Sequence, residues 1–401
     1  MLGQIAGLSF EKDEVGSEIL DNLIKEAFKL NASDIHIDPT PSGLSVRFRI
    51  DGSLHRLPSI HLERHPEIVS RIKILAGLRI DEHRKAQDGR IRFDLIGSDG
   101  FVDIRISTAP SYHGESVVLR MLYDKDEAMS LQSLGFSESN LAKIKRAMGK
   151  TGGMILATGP TGSGKTTTLY SILKELNTED ASIITIEEPI EYSIHGIRQI
   201  QVDYGSQMNF ANGLRSILRQ DPNIIMVGEI RDRETAAIAV NAALTGHLLL
   251  STLHTNDAAS ALPRLMDMGI EPFLLASTFN LAINQRLVKK ICLNCRTKFD
   301  VGDSQRKTLE ELLNKSLRDI VFYKGLGCDR CHQSGYSGRT LVAEVLALNE
   351  EIRRLIVEKK TAGEIRQRAV KNGMPLLLSD GIAKASLGIT SLEEALRVGY
   401  E

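Results

Sequence analysis

The sequence predicts an α/β protein built on a parallel sheet, preceded by a small α+β domain and carrying a four-cysteine lobe. Three observations carry this. The region from about 137 to 290 alternates buried strand and helix, the pattern of a parallel sheet with crossover helices. Residues 1–122 read instead as helices and short strands with turn signals between them. All four cysteines fall in two C-x-x-C pairs, Cys292/Cys295 and Cys328/Cys331.

Composition narrows the function classes. At 401 residues the chain is long enough for two or three domains, each with its own core. A net charge of -1 gives no overall basic field for nucleic acid or an anionic membrane. Met1 to Phe10 lacks a basic start and a long apolar run, so no secretory signal is expected. The longest apolar stretch, Ala236 to Leu253, is broken by Asn241, Thr245, Gly246 and His247, and reads as a buried helix followed by a strand. So few cysteines in a long chain point to thiol or metal chemistry in a reducing cytosol.

In the front domain, Glu18 to Leu30 puts Ile19, Leu20, Leu23, Ile24, Ala27 and Phe28 on one helical stripe. Strands follow at Ser33–Asp38, Leu44–Ile50 and Leu54–Leu57, the last two joined by an Asp51-Gly52 turn. His61 to Ala76 is helical, and Arg90–Leu95, Phe101–Ile106 and Ser116–Leu122 are strands. Arg90 and Arg105 on these strands admit two readings. They are solvated strand-edge arginines, or guanidiniums that neutralise phosphate charge held elsewhere. Residues 123–136 begin polar and acidic and read as the linker.

The strongest motif is Gly159-Pro160-Thr161-Gly162-Ser163-Gly164-Lys165-Thr166, which fits G-x-x-x-x-G-K-[ST]. A buried strand, Gly152 to Thr158, precedes it, and a helix from Thr167 to Leu176 follows. In that context the loop N–H groups form a nest for phosphate oxygens at a positive helix end. Lys165 would reach the β- and γ-phosphates and the Thr166 hydroxyl would ligate Mg²⁺. The expected ligand is a nucleotide with Mg²⁺, held by residues 159–167, Thr167 included, and the family resemblance given below makes it ATP.

Carboxylates gather after the next strands. Ile183–Ile186 ends in Glu187-Glu188-Pro189-Ile190-Glu191, where an acid could orient water or hold Mg²⁺ through water, or simply form an acidic loop. Asn223 to Gly228 is an apolar strand ending at Glu229, a Walker B pattern. Arg215 and Arg219, one turn apart, read either as phosphate sensors or as a solvated face. His247 and His254 bracket the strand Leu248–Leu253 and read either as structural histidines or as site groups, with His254 on the phosphate side of the sheet. The cysteine pairs read as a closed, structural tetrahedral Zn²⁺ site, with two redox dithiols or four unpaired thiols as the rivals. Arg286, Lys289, Lys290, Arg296 and Lys298 nearby read as a solvated basic face, or as one toward an acidic partner or lipid headgroups.

Taken together, these motifs resemble the assembly ATPases of type II secretion and type IV pilus systems, the GspE/PilB group of traffic ATPases. The resemblance runs from Ser33-Asp34-Ile35-His36 to Ser391–Arg397. Gly159–Thr166 resembles the Walker A box, Thr185–Tyr192 the aspartate box, Asn223–Asp232 the Walker B box and Thr245–Thr255 the histidine box. It implies a RecA-like ATPase domain over residues 137–401, with a tetracysteine zinc subdomain at 286–345 and a helical C-terminal part, behind a PAS-like domain at 1–122. It implies a homohexamer with nucleotide at subunit boundaries, acting in the cytoplasm beside inner-membrane platform proteins. Lys165 and Thr166 would contact phosphate and Mg²⁺; Glu191 and Glu229 would polarise water and organise the metal. Arg90 and Arg105 would be arginine fingers, Arg215 and Arg219 sensors, and His247 and His254 the histidine box. The cysteines place the chain with the assembly members, since retraction members lack them. Two departures stand out: Glu188 replaces the usual Asp, and little precedes the Glu18 helix, so the family's further N-terminal docking domain is expected to be missing. The rival readings are a nucleic-acid translocating motor, disfavoured by the lack of a basic stripe interleaved with aromatics, and a nucleotide switch without turnover.

Overall fold

The computed structural model describes residues 15–95, 100–122, 130–313, 320–331 and 333–399. It divides into two compact units: residues 1–125 with 327–334, and residues 126–326 with 335–401.

The first unit starts with α1 (Gly16–Lys29), whose Ile19, Leu20, Leu23, Ile24 and Ala27 are buried as the stripe requires. Strands β1 (Asp34–Thr40), β2 (Gly43–Ile50) and β3 (Ser53–Arg56) come next, then α2 (His65–Leu75), β4 (Gln87–Leu95), β5 (Gly100–Ser111) and β6 (Gly114–Leu122). They form one sheet in the order β3-β2-β1-β6-β5-β4. Alternating burial along β1, β2, β5 and β6 sends Ile35, Ile37, Val46, Phe48, Ile104, Ile106, Val117 and Leu119 into a core shared with α1 and α2. The opposite face is charged. A buried ion pair, Lys73 Nζ to Glu115 at 2.6 Å, sits in this unit, with Lys73 also donating to the Glu82 carbonyl.

The second unit contains α3 (Glu138–Met148), β7 (Gly153–Thr158), α4 (Lys165–Leu176), β8 (Ile183–Glu187), β9 (Arg198–Gln201), α5 (Phe210–Ile217), β10 (Ile224–Val227), α6 (Arg233–Leu244) and β11 (Leu248–Leu253). It continues through α7 (Ala261–Asp267), α8 (Pro272–Thr278), β12 (Phe279–Ile291), β13 (Arg296–Phe299), α9 (Asp303–Leu313), β14 (Phe322–Gly325) and β15 (Tyr336–Ala347). Four helices close it: α10 (Glu350–Val357), α11 (Ala362–Lys371), α12 (Leu377–Ser386) and α13 (Leu392–Gly399). The main sheet runs β15-β12-β7-β11-β10-β8-β9. Its central strands are buried throughout, as sheets covered on both faces must be.

Three features add to the expected layout. The sheet is parallel from β12 to β9, but β15 adds to its edge antiparallel to β12. Residues 123–129 of the expected linker lie outside the described residues, and its remainder is packed: Leu131 and Phe136 enter the core, and the Leu134 carbonyl accepts from Leu341 N–H and Thr340 Oγ1. The range 286–345 also includes the ends of β12 and most of β15, so the cysteines hang from core strands.

Candidate active site

The loop between β7 and α4 is shaped by glycine. Gly159, Gly162 and Gly164 have φ of 135°, 79° and 88°, in the region L side chains avoid. A Cβ at Gly159 would also meet the Gln285 carbonyl at 2.7 Å and Ser163 Oγ at 2.8 Å. Lys165 opens α4 and its ammonium donates to the carbonyls of Gly159 (2.8 Å) and Pro160 (3.0 Å), folding the loop over its own lysine. Burial pushes the Lys165 pKa down, opposed by Glu229 and helped by Arg286. Thr158 Oγ1 and Ser163 Oγ are buried without a partner in the described residues. Such orphaned hydroxyls beside a cationic loop fit phosphate oxygens.

Glu229 follows β10, and its carboxylate lies between a guanidinium and an imidazole. One oxygen pairs with Arg231 Nη2, and the other lies 3.6 Å from His254 Nε2. Burial, and then the nearby Lys165, hold the His254 pKa below its ordinary value, so a neutral imidazole faces Glu229 near neutral pH. Thr252 Oγ1 donates to the Gly228 carbonyl at 2.7 Å, and Ile230 N–H to the Thr252 carbonyl at 3.1 Å, which locks β11 to the turn that carries Glu229.

The acids after β8 divide into different roles. Glu187 is 2 % exposed and takes hydrogen bonds from the Tyr170 phenol, Thr185 Oγ1 (2.6 Å) and Gln199 Nε2 (3.2 Å). Burial pushes its pKa up, so it is a structural link between β8, β9 and α4 rather than a solvated carboxylate. Glu188 reaches Arg231 Nη1 at 3.4 Å, so the longer side chain in the Asp position still finds a cation. Glu191 accepts no side-chain hydrogen bond in the described residues, while its N–H lies 3.4 Å from the Tyr170 oxygen. Its carboxylate remains available for water.

Other expected residues are placed elsewhere. His247 sits at the start of β11, the opposite end from His254, with Nδ1 3.0 Å from the Ala242 carbonyl. Arg215 pairs with Glu234 at 2.6 Å and Arg219 donates to the Arg215 carbonyl at 3.1 Å; in the described residues neither bonds to the loop, Glu191 or Glu229. Arg90 and Arg105 belong to the first unit, on adjacent strands β4 and β5.

Sequence reasoning missed the strand behind the loop. Gln285 on β12 donates to the Ser163 carbonyl (2.8 Å) and accepts from Thr168 Oγ1 (2.8 Å), bracing both sides of the loop. Arg286, read above as part of a solvated or partner-facing basic surface, is 4 % exposed and lies against Gly159, its guanidinium on the Asn284 side chain and the Gln285 and Asn256 carbonyls. The signal was present: Asn284-Gln285-Arg286 interrupts an otherwise apolar run, and polar side chains inside a central strand need a partner.

The four cysteine Sγ atoms lie within 4.8 Å of one another, with Cys292 and Cys331 buried and no disulfide among them. Cys328 and Cys331 sulfurs are 3.6 Å apart. Tetrahedral Zn–S bonds of about 2.3 Å place sulfurs roughly 3.8 Å apart, so the donor set and spacing suit a metal ion.

A seven-stranded, mostly parallel sheet with this loop at the end of an interior strand, β7, and acids at the ends of β8 and β10, defines a RecA-like P-loop ATPase. A model of the family described as "Type II/IV secretion system protein" matches residues 10–397. The type II secretion system ATPase E of Vibrio cholerae is 44 % identical over 394 residues, spanning 98 % of this chain and 77 % of that protein. The type IV pilus assembly ATPase PilB of Thermus thermophilus is 45 % identical over 387 residues, 96 % of this chain but 43 % of that longer relative. The solved structure of the Legionella pneumophila ATPase DotB shares the fold, with a TM-score of 0.72 over 98 % of each chain at 22 % identity. The chain belongs to the type II/IV secretion system protein family.

Proposed function

We propose that this chain is a Mg²⁺-dependent ATP hydrolase whose turnover drives assembly of a pilus or secretion pseudopilus at the bacterial inner membrane. The observation that carries it is the convergence of Lys165, Glu229 and His254 around one glycine loop. Similarity to secretion and pilus-assembly ATPases over nearly the whole chain supports the cargo class.

In this reading residues 159–167 hold the phosphates, with Thr166 as the Mg²⁺ ligand and Glu229 organising the metal. Mg²⁺ would neutralise charge on the β- and γ-phosphates. Glu191, whose carboxylate has no protein partner among the described residues, orients the attacking water. His254, kept neutral, hydrogen-bonds near the γ-phosphate without adding charge. Arg90 and Arg105 are the arginine fingers that neutralise charge on the transferred phosphate. Zinc at the four cysteines holds the lobe beyond β12. The working form is a homohexamer in the cytoplasm, held to the membrane by platform proteins; Arg215, Arg219 and His247 face nucleotide only across such a subunit boundary. In the described residues no helix is long and apolar enough to cross a membrane.

The test is phosphate release from Mg²⁺-ATP by wild type and Lys165→Ala, with light scattering on the same samples. Turnover that rises with hexamer formation and vanishes in the variant supports a ring motor. Turnover by a plain monomer contradicts it, and turnover that requires DNA or RNA would favour a nucleic-acid motor.

A further inference from the structure

At the end of the sheet where β7 begins, away from the glycine loop at its other end, a cavity of about 240 Å³ opens in the second unit between α3, β12, the end of β15, α10 and α11. Its rim is cationic. Lys143, Arg146 and Lys150 line it, and in the described residues none of the three forms an ion pair. Glu351, beside the lining residue Asn372, is occupied by Asn372 (3.0 Å) and Arg368 (3.7 Å). Leu281, Ile352 and Met374 form an apolar floor, each no more than 4 % exposed.

Lys143 is half-buried and Lys150 exposed, but the protein holds both heads in place. Lys150 Nζ donates to Asn280 Oδ1 at 2.9 Å, and that buried amide donates in turn to the Gly152 carbonyl at 2.9 Å. Lys143 Nζ leans inward to the Val345 carbonyl at 3.4 Å. Each ammonium has two further N–H donors, and Arg146 offers a planar guanidinium. Burial lowers the pKa of both lysines, and Arg353 adds to the effect at Lys150, so the cations are held at a cost that a bound anion would offset.

We propose that this cavity is a second ligand site, separate from the glycine loop, which takes a small phosphate-bearing organic molecule. Lys143, Arg146 and Lys150 receive the phosphate, and Leu281, Ile352 and Met374 receive its carbon body. Phosphate fits better than a carboxylate because three convergent cations exceed what one carboxylate can satisfy, while a phosphate monoester presents three acceptor oxygens. The site touches the segment that leads into β7 and the start of β12, the two strands that carry the loop and its Gln285 brace.

The test is calorimetric titration of the full chain with phenyl phosphate while Mg²⁺-ADP saturates the loop. The expected result is one further molecule per chain, bound at least about tenfold more weakly by Lys143→Gln/Lys150→Gln and by the exposed-site variant Arg146→Gln. Unchanged ADP binding and thermal midpoint would show that these variants fold. No uptake of phenyl phosphate, equal uptake by the variants, or equally tight binding of benzoate would each overturn the proposal.

Discussion

Arg105 lies directly opposite Arg90 across the β4–β5 ladder, and opposite Arg120 across the β5–β6 ladder. Arg120 pairs with Asp34 (3.0 Å) and Arg90 lies 3.6 Å from Asp103, but Arg105 has no ion pair in the described residues. Like charges facing one another across strands destabilise a sheet. A guanidinium held there against electrostatics is what a phosphate-directed arginine requires. Arg105→Thr should therefore leave the fold at least as stable, by zero to about 1 kcal/mol in urea unfolding, since Thr suits a strand and removes the repulsion. A loss of stability would mean that Arg105 is part of the packing.

Burial of Glu187 makes a second prediction with a definite sign. Its folded pKa is raised above the unfolded carboxyl value of about 4.3, so the native state binds more protons than the unfolded chain. This contribution to stability is full below about pH 4.3 and declines as pH rises toward the folded pKa. Glu187→Gln keeps a neutral hydrogen-bonding group and should remove that decline. Denaturation from pH 4 to 8 should show wild type losing stability relative to the variant as pH rises. Parallel curves would refute a carboxyl whose pKa burial raises.

Gln285 braces the loop through two buried bonds, so Gln285→Ala leaves the Ser163 carbonyl and the Thr168 hydroxyl without partners. The expected cost is about 1–3 kcal/mol in unfolding free energy, accompanied by weaker Mg²⁺-ATP binding. Loss of nucleotide binding at wild-type stability would instead make Gln285 a direct contact.

Metal content checks the cysteine cluster. Elemental analysis should find about one zinc per chain, falling to none in Cys292→Ser with a lower thermal midpoint. An untouched midpoint after chelation would make the cluster a thiol site without structural weight.

Much of this architecture was legible because its signals are local. The stripe in α1, the loop glycines and the two C-x-x-C pairs each need only a short window of sequence. What stayed hidden depends on partners distant in sequence. Arg286 reads as one more basic residue until β12 is laid beside β7, which turns it inward against Gly159. Glu187 and Glu191 look equivalent in the sequence, yet pleating sends one toward Tyr170 and leaves the other in the loop beyond. β15 escaped notice because its antiparallel partner lies on the far side of the cysteine lobe.

The proposed role of Arg105 as a phosphate-directed arginine is open to direct measurement. Its most direct test is steady-state phosphate release by Arg105→Ala beside wild type, with Mg²⁺-ATP binding measured on the same samples. The account predicts turnover reduced by about 10³-fold or more, the scale of an arginine finger, with binding largely intact. Normal turnover in Arg105→Ala would contradict it and return Arg105 to the solvated edge of its sheet.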